Sequence, residues 1–187
     1  VINKGKVEWA RGYGTLTANG KQPVTTETIF QAASLSKPLA ALAALQLVDQ
    51  HKLDLDEDIN TKLSSWKVPE NEFTKTQKPT LRRILSHSAG FTVSGFRGYP
   101  SGEPIPSLRQ ILDGEKPANT PPVRIDIIPG SQFRYSGGGY TVLQQLLIDV
   151  TGTSFVNLMQ PVLKRLRMTH STFSSPSAGQ SGVASGH

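Results

Sequence analysis

Residues 30–37 read Phe30-Gln31-Ala32-Ala33-Ser34-Leu35-Ser36-Lys37, and an apolar run, Pro38-Leu39-Ala40-Ala41-Leu42-Ala43-Ala44-Leu45, follows at once. This pattern predicts an extended segment that turns and enters a buried helix over about residues 36–50. Pro38 is compatible with the helix because a proline in the first turn removes an N–H that has no intrahelical partner. Ser34 and Lys37 are three positions apart and should therefore share one face of the first turn.

A serine at a helix start is a candidate nucleophile. Unpaired backbone N–H groups and the positive end of the helix favour a developing oxyanion there, and a nearby amine can accept the hydroxyl proton. The alternative is that Ser34 only caps the helix, which is a common role of serine. The spacing alone leaves both interpretations open.

A second Ser-x-x-Lys match, Ser64-Ser65-Trp66-Lys67, serves as an internal comparison. Val68-Pro69 follows it, and the residue before a proline is biased away from the helical conformation. No long helix can begin there, and we therefore predict that Ser64 is a loop serine.

Composition limits the possible functions of the 187 residues, a length that suits one domain or a large part of one. There is no cysteine, which excludes disulfides and thiolate chemistry, and the four histidines lack a zinc-ligand spacing. We expect no metal and no cofactor. The net charge is +6, and the basic residues are scattered along the chain, whereas nucleic-acid binders usually concentrate them in a stripe. We therefore expect no nucleic-acid partner.

Periodicity predicts the remaining elements. Residues 1–14 predict a hairpin, with its turn at Asn3–Lys6 and a strand over Val7–Tyr13. Residues 61–79 are expected to be an irregular surface segment. Apolar stripes behind capping residues predict further helices near residues 80–85, 107–113, 136–150 and 154–163.

Tyr135-Ser136-Gly137 forms a second constellation at an extended-to-helix junction. A tyrosine close to Lys37 would have its phenolate favoured by the ammonium charge and could act as a general base toward Ser34. The alternative is an ordinary packed tyrosine before a flexible glycine turn at residues 137–139.

Four segments together resemble the serine β-lactamase and penicillin-binding protein superfamily, within it the class C β-lactamase-like group with its D-alanyl-D-alanine carboxypeptidases and carboxylesterases. They are Phe30-x-Ala-Ala-Ser34-Leu-Ser-Lys37, Leu53-Asp-Leu-Asp-Glu-Asp58, Leu81-x-x-Ile-Leu-Ser-His-Ser-Ala-Gly90-Phe and Pro129-Gly-x-x-Phe-x-Tyr135-Ser-Gly137. The resemblance implies an α+β fold of the β-lactamase/transpeptidase type, with a mostly helical region and part of an antiparallel sheet. We expect one incomplete domain, in which residues 1–30 supply sheet strands, 31–170 the helical region and 171–187 a Ser/Gly-rich end.

The resemblance also implies roles for individual residues. Ser34 is acylated and its N–H forms half of the oxyanion site, Lys37 is its proton partner, Tyr135 is the base, and Ser136 and Gly137 bind substrate. Many family members have asparagine at the position of Gly137, and its amide would contact the substrate. Its absence here favours peptidase or esterase work over β-lactam hydrolysis. The family's C-terminal Lys/His-x-Gly motif and its neighbouring strands are missing, so we expect a truncated chain that is weakly active or inactive alone.

The implied partner is a small-molecule or peptide acyl donor: a D-amino-acid peptide, a β-lactam or an ester. A further C-terminal segment or a second chain would complete the sheet. No signal-peptide pattern occurs in residues 1–187, and the resemblance implies a periplasmic or secreted location, with the cytoplasm left open.

Two alternatives stand beside this acyl-enzyme hydrolase. One is a penicillin-binding or sensor domain that acylates without turnover. The other is an α/β-hydrolase that uses Ser88 in Ser86-His87-Ser88-Ala89-Gly90, with Asp126 or Asp149 and His170 or His187 as partners. That elbow needs a strand before the serine, whereas residues 80–85 predict a helix. His87 is interpreted as structural.

Overall fold

The computed structural model describes residues 1–100, 102–174 and 181–185. The chain divides into two compact units: the first holds Val1–Ser36 and Ser174–His187, and the second holds Lys37–Phe173.

The first unit begins with a short hairpin. Strands β1 (Ile2–Asn3) and β2 (Lys6–Val7) pair antiparallel, with Ile2 opposite Val7. Lys4 and Gly5 form the turn at positive φ angles of 47° and 75°, which gives the turn the twist that two-residue hairpins require. The predicted hairpin and its turn are confirmed.

The predicted strand over Val7–Tyr13 is wrong beyond its first residue, because β2 ends at Val7. A strand is stabilised by backbone hydrogen bonds to a neighbour. The Glu8 N–H donates to the Val1 carbonyl over 3.0 Å, and the Trp9 carbonyl accepts the N-terminal amine over 2.7 Å. Beyond these bonds, residues 10–13 have no strand partner in the described part of the chain, and the side chains of Trp9 and Tyr13 are exposed. Alternating side chains alone therefore do not hold this segment as a strand.

With the exception of the second, the helices lie almost where periodicity and capping residues predict them. They are α1 (Ser36–Asp49), α2 (Glu72–Thr76), α3 (Leu81–Leu85), α4 (Leu108–Asp113), α5 (Gly137–Thr151) and α6 (Phe155–Arg165). Thr80, Ser107, Ser136 and Ser154 cap the last four through side-chain acceptance of a backbone N–H.

The segment 61–79 is not an irregular surface segment throughout. It contains α2, which begins at an Asn71 capping box, and its side chains of Leu63, Trp66 and Val68 are buried. The Trp66 indole N–H donates to the Asp113 carboxylate over 2.9 Å, which joins this segment to the end of α4. A five-residue helix is too short to leave a clear apolar period, so the sequence does not reveal it.

The core of the second unit is built around α5. Val142, Leu143, Leu146 and Leu147 are completely buried, and α5 packs against α3, α4 and α6. We expected α1 to be buried all round, and that is wrong. Its buried residues are Ala40, Ala43, Ala44 and Leu47, which form one stripe, whereas Leu45 is 43% exposed.

No single helix among the described residues is long and apolar enough to cross a membrane, although the bent pair α5–α6 passes that test of length and composition jointly. Over the same ranges, no group of three or more His, Cys, Asp or Glu side chains could hold a metal ion.

Candidate active site

Ser34 lies in the first unit, in a turn of 3₁₀ helix (Ala33–Leu35) that leads directly into α1. The backbone N–H of Ser36 donates to the carbonyls of Ala33 and Ser34, which closes the turn. Ala33 has a φ of 45°, a left-handed conformation that costs an alanine about 1–2 kcal/mol. The chain therefore stores strain at the residue before the candidate nucleophile, a common feature of functional sites.

Lys37, in the first turn of α1, belongs to the second unit and lies among aromatic rings there. Its Nζ is 5.0 Å from the centre of the Tyr135 ring and 5.6 Å from the centre of the Tyr140 ring. Both distances are within the range of a cation–π interaction. The sequence prediction that Lys37 and Tyr135 come together is therefore met by the geometry of this unit. That the Ser34 hydroxyl joins them stays a prediction.

His87 also belongs to this aromatic cluster. Its ring centre is 4.4 Å from that of Tyr135 and 5.2 Å from that of Tyr140, at interplanar angles of 33° and 38°. Its Nδ1 accepts the backbone N–H of Ser136 over 3.1 Å. The one sequence signal was its place in a Ser/Gly loop directly after a short helix.

The position of His87 is set by its backbone on both sides. Its N–H donates to the Ile84 carbonyl at the end of α3, and its carbonyl accepts the N–H of Arg134 over 2.7 Å. His87 has a φ of 55°, and histidine is one of the residue types enriched in this left-handed region. The imidazole is thereby anchored between α3 and the segment that enters α5.

The environment shifts the pKa values of two titratable groups in the cluster. Burial, followed by the positive charge of Lys37, lowers the pKa of His87 below its ordinary value of 6.5, so the neutral imidazole prevails at neutral pH. Burial, followed by the charge of Tyr135, raises the pKa of Tyr140. Tyr135 is 39% exposed, whereas Tyr140 is half-buried. Tyr135 is thus the more exposed of the two tyrosines, and its role as a base stays a prediction.

The two candidate substrate-binding residues, Ser136 and Gly137, lie at the start of α5 and are buried. The Ser136 hydroxyl donates to the Thr92 carbonyl over 2.8 Å and accepts the N–H of Gly139 over 2.9 Å. These bonds position the start of the helix, and a direct contact of Ser136 with substrate stays a prediction.

The glycines at the start of α5 are not a flexible turn. They are helical and buried, and they allow the loop at residues 92–96 to approach the helix closely. A Cβ on Gly138 would stand 2.6 Å from the Thr92 carbonyl oxygen, and one on Gly137 would stand 3.1 Å from the Phe96 ring. Glycine at position 137 therefore leaves room for the Phe96 ring. Its role toward substrate stays a prediction.

The competing serines are placed differently. Ser64 is in a loop, as predicted, and its N–H donates to Asp149. Ser88 follows the helix α3 instead of a strand, which removes the elbow that an α/β-hydrolase needs. Its proposed acids are engaged elsewhere, since Asp126 pairs with Arg134 and Asp149 with Ser65. His187, one of its candidate bases, lies outside the described residues.

Comparisons with known proteins concern the fold and the family of this chain. A family model described as Beta-lactamase matches residues 1–187. Protein flp of Staphylococcus aureus (strain MRSA252) is 27% identical over 179 residues, which are 92% of this chain and 34% of that protein. This chain thus spans about a third of the length of that curated relative.

Solved structures show the same likeness. The octameric penicillin-binding protein homologue from Pyrococcus abyssi superimposes with a TM-score of 0.73 at 26% identity, over 98% of this chain and 42% of that one. EstCE1, described as a hydrolase with promiscuous acyltransferase activity, superimposes with a TM-score of 0.70 at 28% identity, over 96% of this chain and 48% of that one. The expected β-lactamase/transpeptidase-like fold is therefore confirmed, while the segment or second chain that would complete the sheet stays a prediction. The match over residues 1–187 and the shared fold together mean that this chain belongs to the β-lactamase family.

Proposed function

We propose that the protein is a serine hydrolase that works through an acyl-enzyme on Ser34. The observation that carries the proposal is the approach of the Lys37 ammonium group to the Tyr135 ring, at 5.0 Å, in the helical unit. Membership of the β-lactamase family supports it independently.

In the proposed mechanism Ser34 Oγ attacks the carbonyl carbon of the acyl donor. The hydroxyl proton passes to Tyr135, whose phenolate the Lys37 charge favours. The Ser34 N–H stabilises the oxyanion of the tetrahedral intermediate. As this intermediate collapses, the bond to the leaving group breaks and Tyr135 returns the proton to that group. Water then attacks the ester on Ser34 by the same proton route, releasing the acid and restoring the hydroxyl.

The acyl donor that we propose is a carboxyl ester or a peptide rather than a β-lactam. Gly137 offers no side-chain amide to a substrate, and the Phe96 ring lies beside it. The exposed Phe96 ring therefore favours an apolar substituent over one that requires an amide contact.

Intact-mass measurement of the full chain tests the proposal after incubation with a penicillin and, separately, with a p-nitrophenyl ester. With the ester, we expect the mass to rise by one acyl group in the wild type and in Ser64→Ala, the matched control, but not in Ser34→Ala. With the penicillin, we expect less of this adduct. Continued release of p-nitrophenol beyond one equivalent indicates a hydrolase. A lasting adduct after one equivalent indicates the sensor alternative, and an adduct retained in Ser34→Ala would rule out Ser34 as the nucleophile.

A further inference from the structure

His87 contacts both Tyr135, the proposed base, and the backbone of the residue that follows it. Its Nδ1 accepts the N–H of Ser136, the residue that directly follows Tyr135, and its ring lies against the Tyr135 ring at 4.4 Å. An N–H can donate only to an unprotonated nitrogen, so the neutral ring must carry its proton on Nε2. One imidazole thus holds both the backbone and the side chain at the junction before α5.

We propose that His87 is a positioning residue for Tyr135, which holds the phenol beside Lys37 as long as the imidazole is neutral. This inference rests on the proposed function, in which Tyr135 is the base. His87 itself touches neither Ser34 nor the acyl donor in the mechanism, and it acts only through Tyr135.

The backbone geometry explains why a histidine can perform this role. Residue 87 is anchored at both its N–H and its carbonyl, and the Phe133 ring packs edge-on against the imidazole at 6.0 Å. The ring is therefore confined on several sides. A positioning residue must itself be held in place, since a displacement of about 1 Å at a reacting group can cost roughly 100-fold in rate.

Protonation of His87 should break its hydrogen bond to the Ser136 N–H and loosen its contact with the Tyr135 ring. An imidazolium ion carries a proton on Nδ1 that opposes the Ser136 N–H, and it adds a second positive charge near Lys37. Among the described residues, the charged or titratable groups that face His87 or share its cavity are Lys37, Arg83, Arg134, Tyr135 and Tyr140. None of them is an acid that would stabilise the imidazolium, although Asp126 pairs with Arg134 nearby. Acylation should therefore weaken as the pH falls through the pKa of His87, which lies below 6.5.

Two variants separate the hydrogen bond from the ring. His87→Asn keeps an acceptor near the position of Nδ1, suits a left-handed φ and does not titrate. Because it keeps the bond to the Ser136 N–H but not the ring that packs on Tyr135, we expect it to acylate more slowly than the wild type above pH 7 and to lose the decline at acid pH. His87→Phe keeps a ring but has no acceptor, and we expect the acylation rate to fall roughly 10–100-fold with little change in KM.

A matched control measures the strain that phenylalanine brings to a left-handed position. His51 has a φ of 56° and an exposed side chain, so His51→Phe imposes the same backbone conflict at an exposed position. We expect His51→Phe to acylate at the wild-type rate. If it loses as much activity as His87→Phe, backbone strain explains the loss and the inference is overturned.

NMR measurements decide the inference without activity. The Ser136 amide resonance should titrate with the His87 imidazole in the wild type and should not respond in His87→Asn. Cross-relaxation between the rings of residues 87 and 135 should weaken as His87 protonates. A Ser136 amide that ignores the imidazole titration, or a His87→Asn variant that keeps the acid decline, overturns the inference. If the wild type forms no adduct, the proposed function fails, and these NMR signals still decide whether His87 holds Tyr135.

Discussion

The Nζ of Lys37 lies 5.0 Å from the centre of the Tyr135 ring, so the first turn of α1 and the segment before α5 meet at one cation–π contact. Because both residues belong to the same compact unit, this contact is a property of the helical region itself. It brings the candidate proton partner to the candidate base.

Replacement of Lys37 by methionine should remove the charge that favours the Tyr135 phenolate while keeping most of the side-chain volume. We expect the rate of acylation of Ser34 to fall by roughly 10²–10⁴-fold, the usual contribution of general acid–base catalysis. Lys67→Met, in the second Ser-x-x-Lys match, is the control and should leave the rate unchanged. Stopped-flow measurement of p-nitrophenol release checks this, and equal rates for Lys37→Met and wild type would contradict the assignment.

Gly138→Ala should destabilise the helical unit. Its Cβ would stand 2.6 Å from the Thr92 carbonyl oxygen, and backbone cannot yield as a flexible side chain can. We expect the free energy of unfolding to fall by about 1–3 kcal/mol in urea denaturation. Gly95→Ala is the control because a Cβ there meets nothing within 4 Å. A Gly138→Ala protein as stable as Gly95→Ala would show that the loop at residues 92–96 moves aside.

Asp149 joins the loop at Ser64 and Ser65 to α5. Its carboxylate accepts both backbone N–H groups, at 2.7 and 3.1 Å, the Ser65 hydroxyl at 2.7 Å and the Gln145 amide at 2.9 Å. Asp149→Asn should lower the free energy of unfolding by about 1–2 kcal/mol, a value that allows for partial exposure. Asp56→Asn removes an exposed pair with Arg82 and should change stability little.

The same carboxylate predicts a dependence of stability on pH. Burial opposes its ionisation, but the hydrogen bonds from Ser65, Ser64 and Gln145 outweigh burial and lower the pKa of Asp149 below 3.8. The folded state thus binds fewer protons than the unfolded state, and this contribution is present above pH 3.8 and lost as the pH falls through the folded pKa. Urea denaturation at several acid pH values should show a smaller loss of stability on acidification in Asp149→Asn than in the wild type.

Ala33→Gly should relieve the left-handed strain before Ser34. The relief of about 1–2 kcal/mol exceeds the extra entropy of an unfolded glycine, about 0.5–1 kcal/mol, so thermal unfolding should show a small net stabilisation. Ala32 has a φ of −75° in the right-handed region, so Ala32→Gly should destabilise instead. If both variants shift the unfolding temperature in the same direction, the turn is not strained at position 33.

Much of the candidate site is local and could be predicted. The helix after Ser34, the caps at Thr80, Ser107 and Ser136, and the loop at Ser64 depend on neighbours within about four positions, so the sequence shows them directly. The short helix α2 and the end of β2 at Val7 could not be predicted in the same way. Helix α2 is too short to show an apolar period, and the end of β2 depends on where its partner strand ends.

By itself, the sequence predicted where most of the helices begin, because turn and capping preferences act over short distances, and it named Ser34, Lys37 and Tyr135 as candidate catalytic residues. Only the tertiary structure decided that His87 accepts the N–H of Ser136 and that Gly138 lies against the Thr92 carbonyl. The physical reason is that hydrogen bonds and close packing between distant positions depend on the path of the intervening loops, and no local pattern of residues records that path.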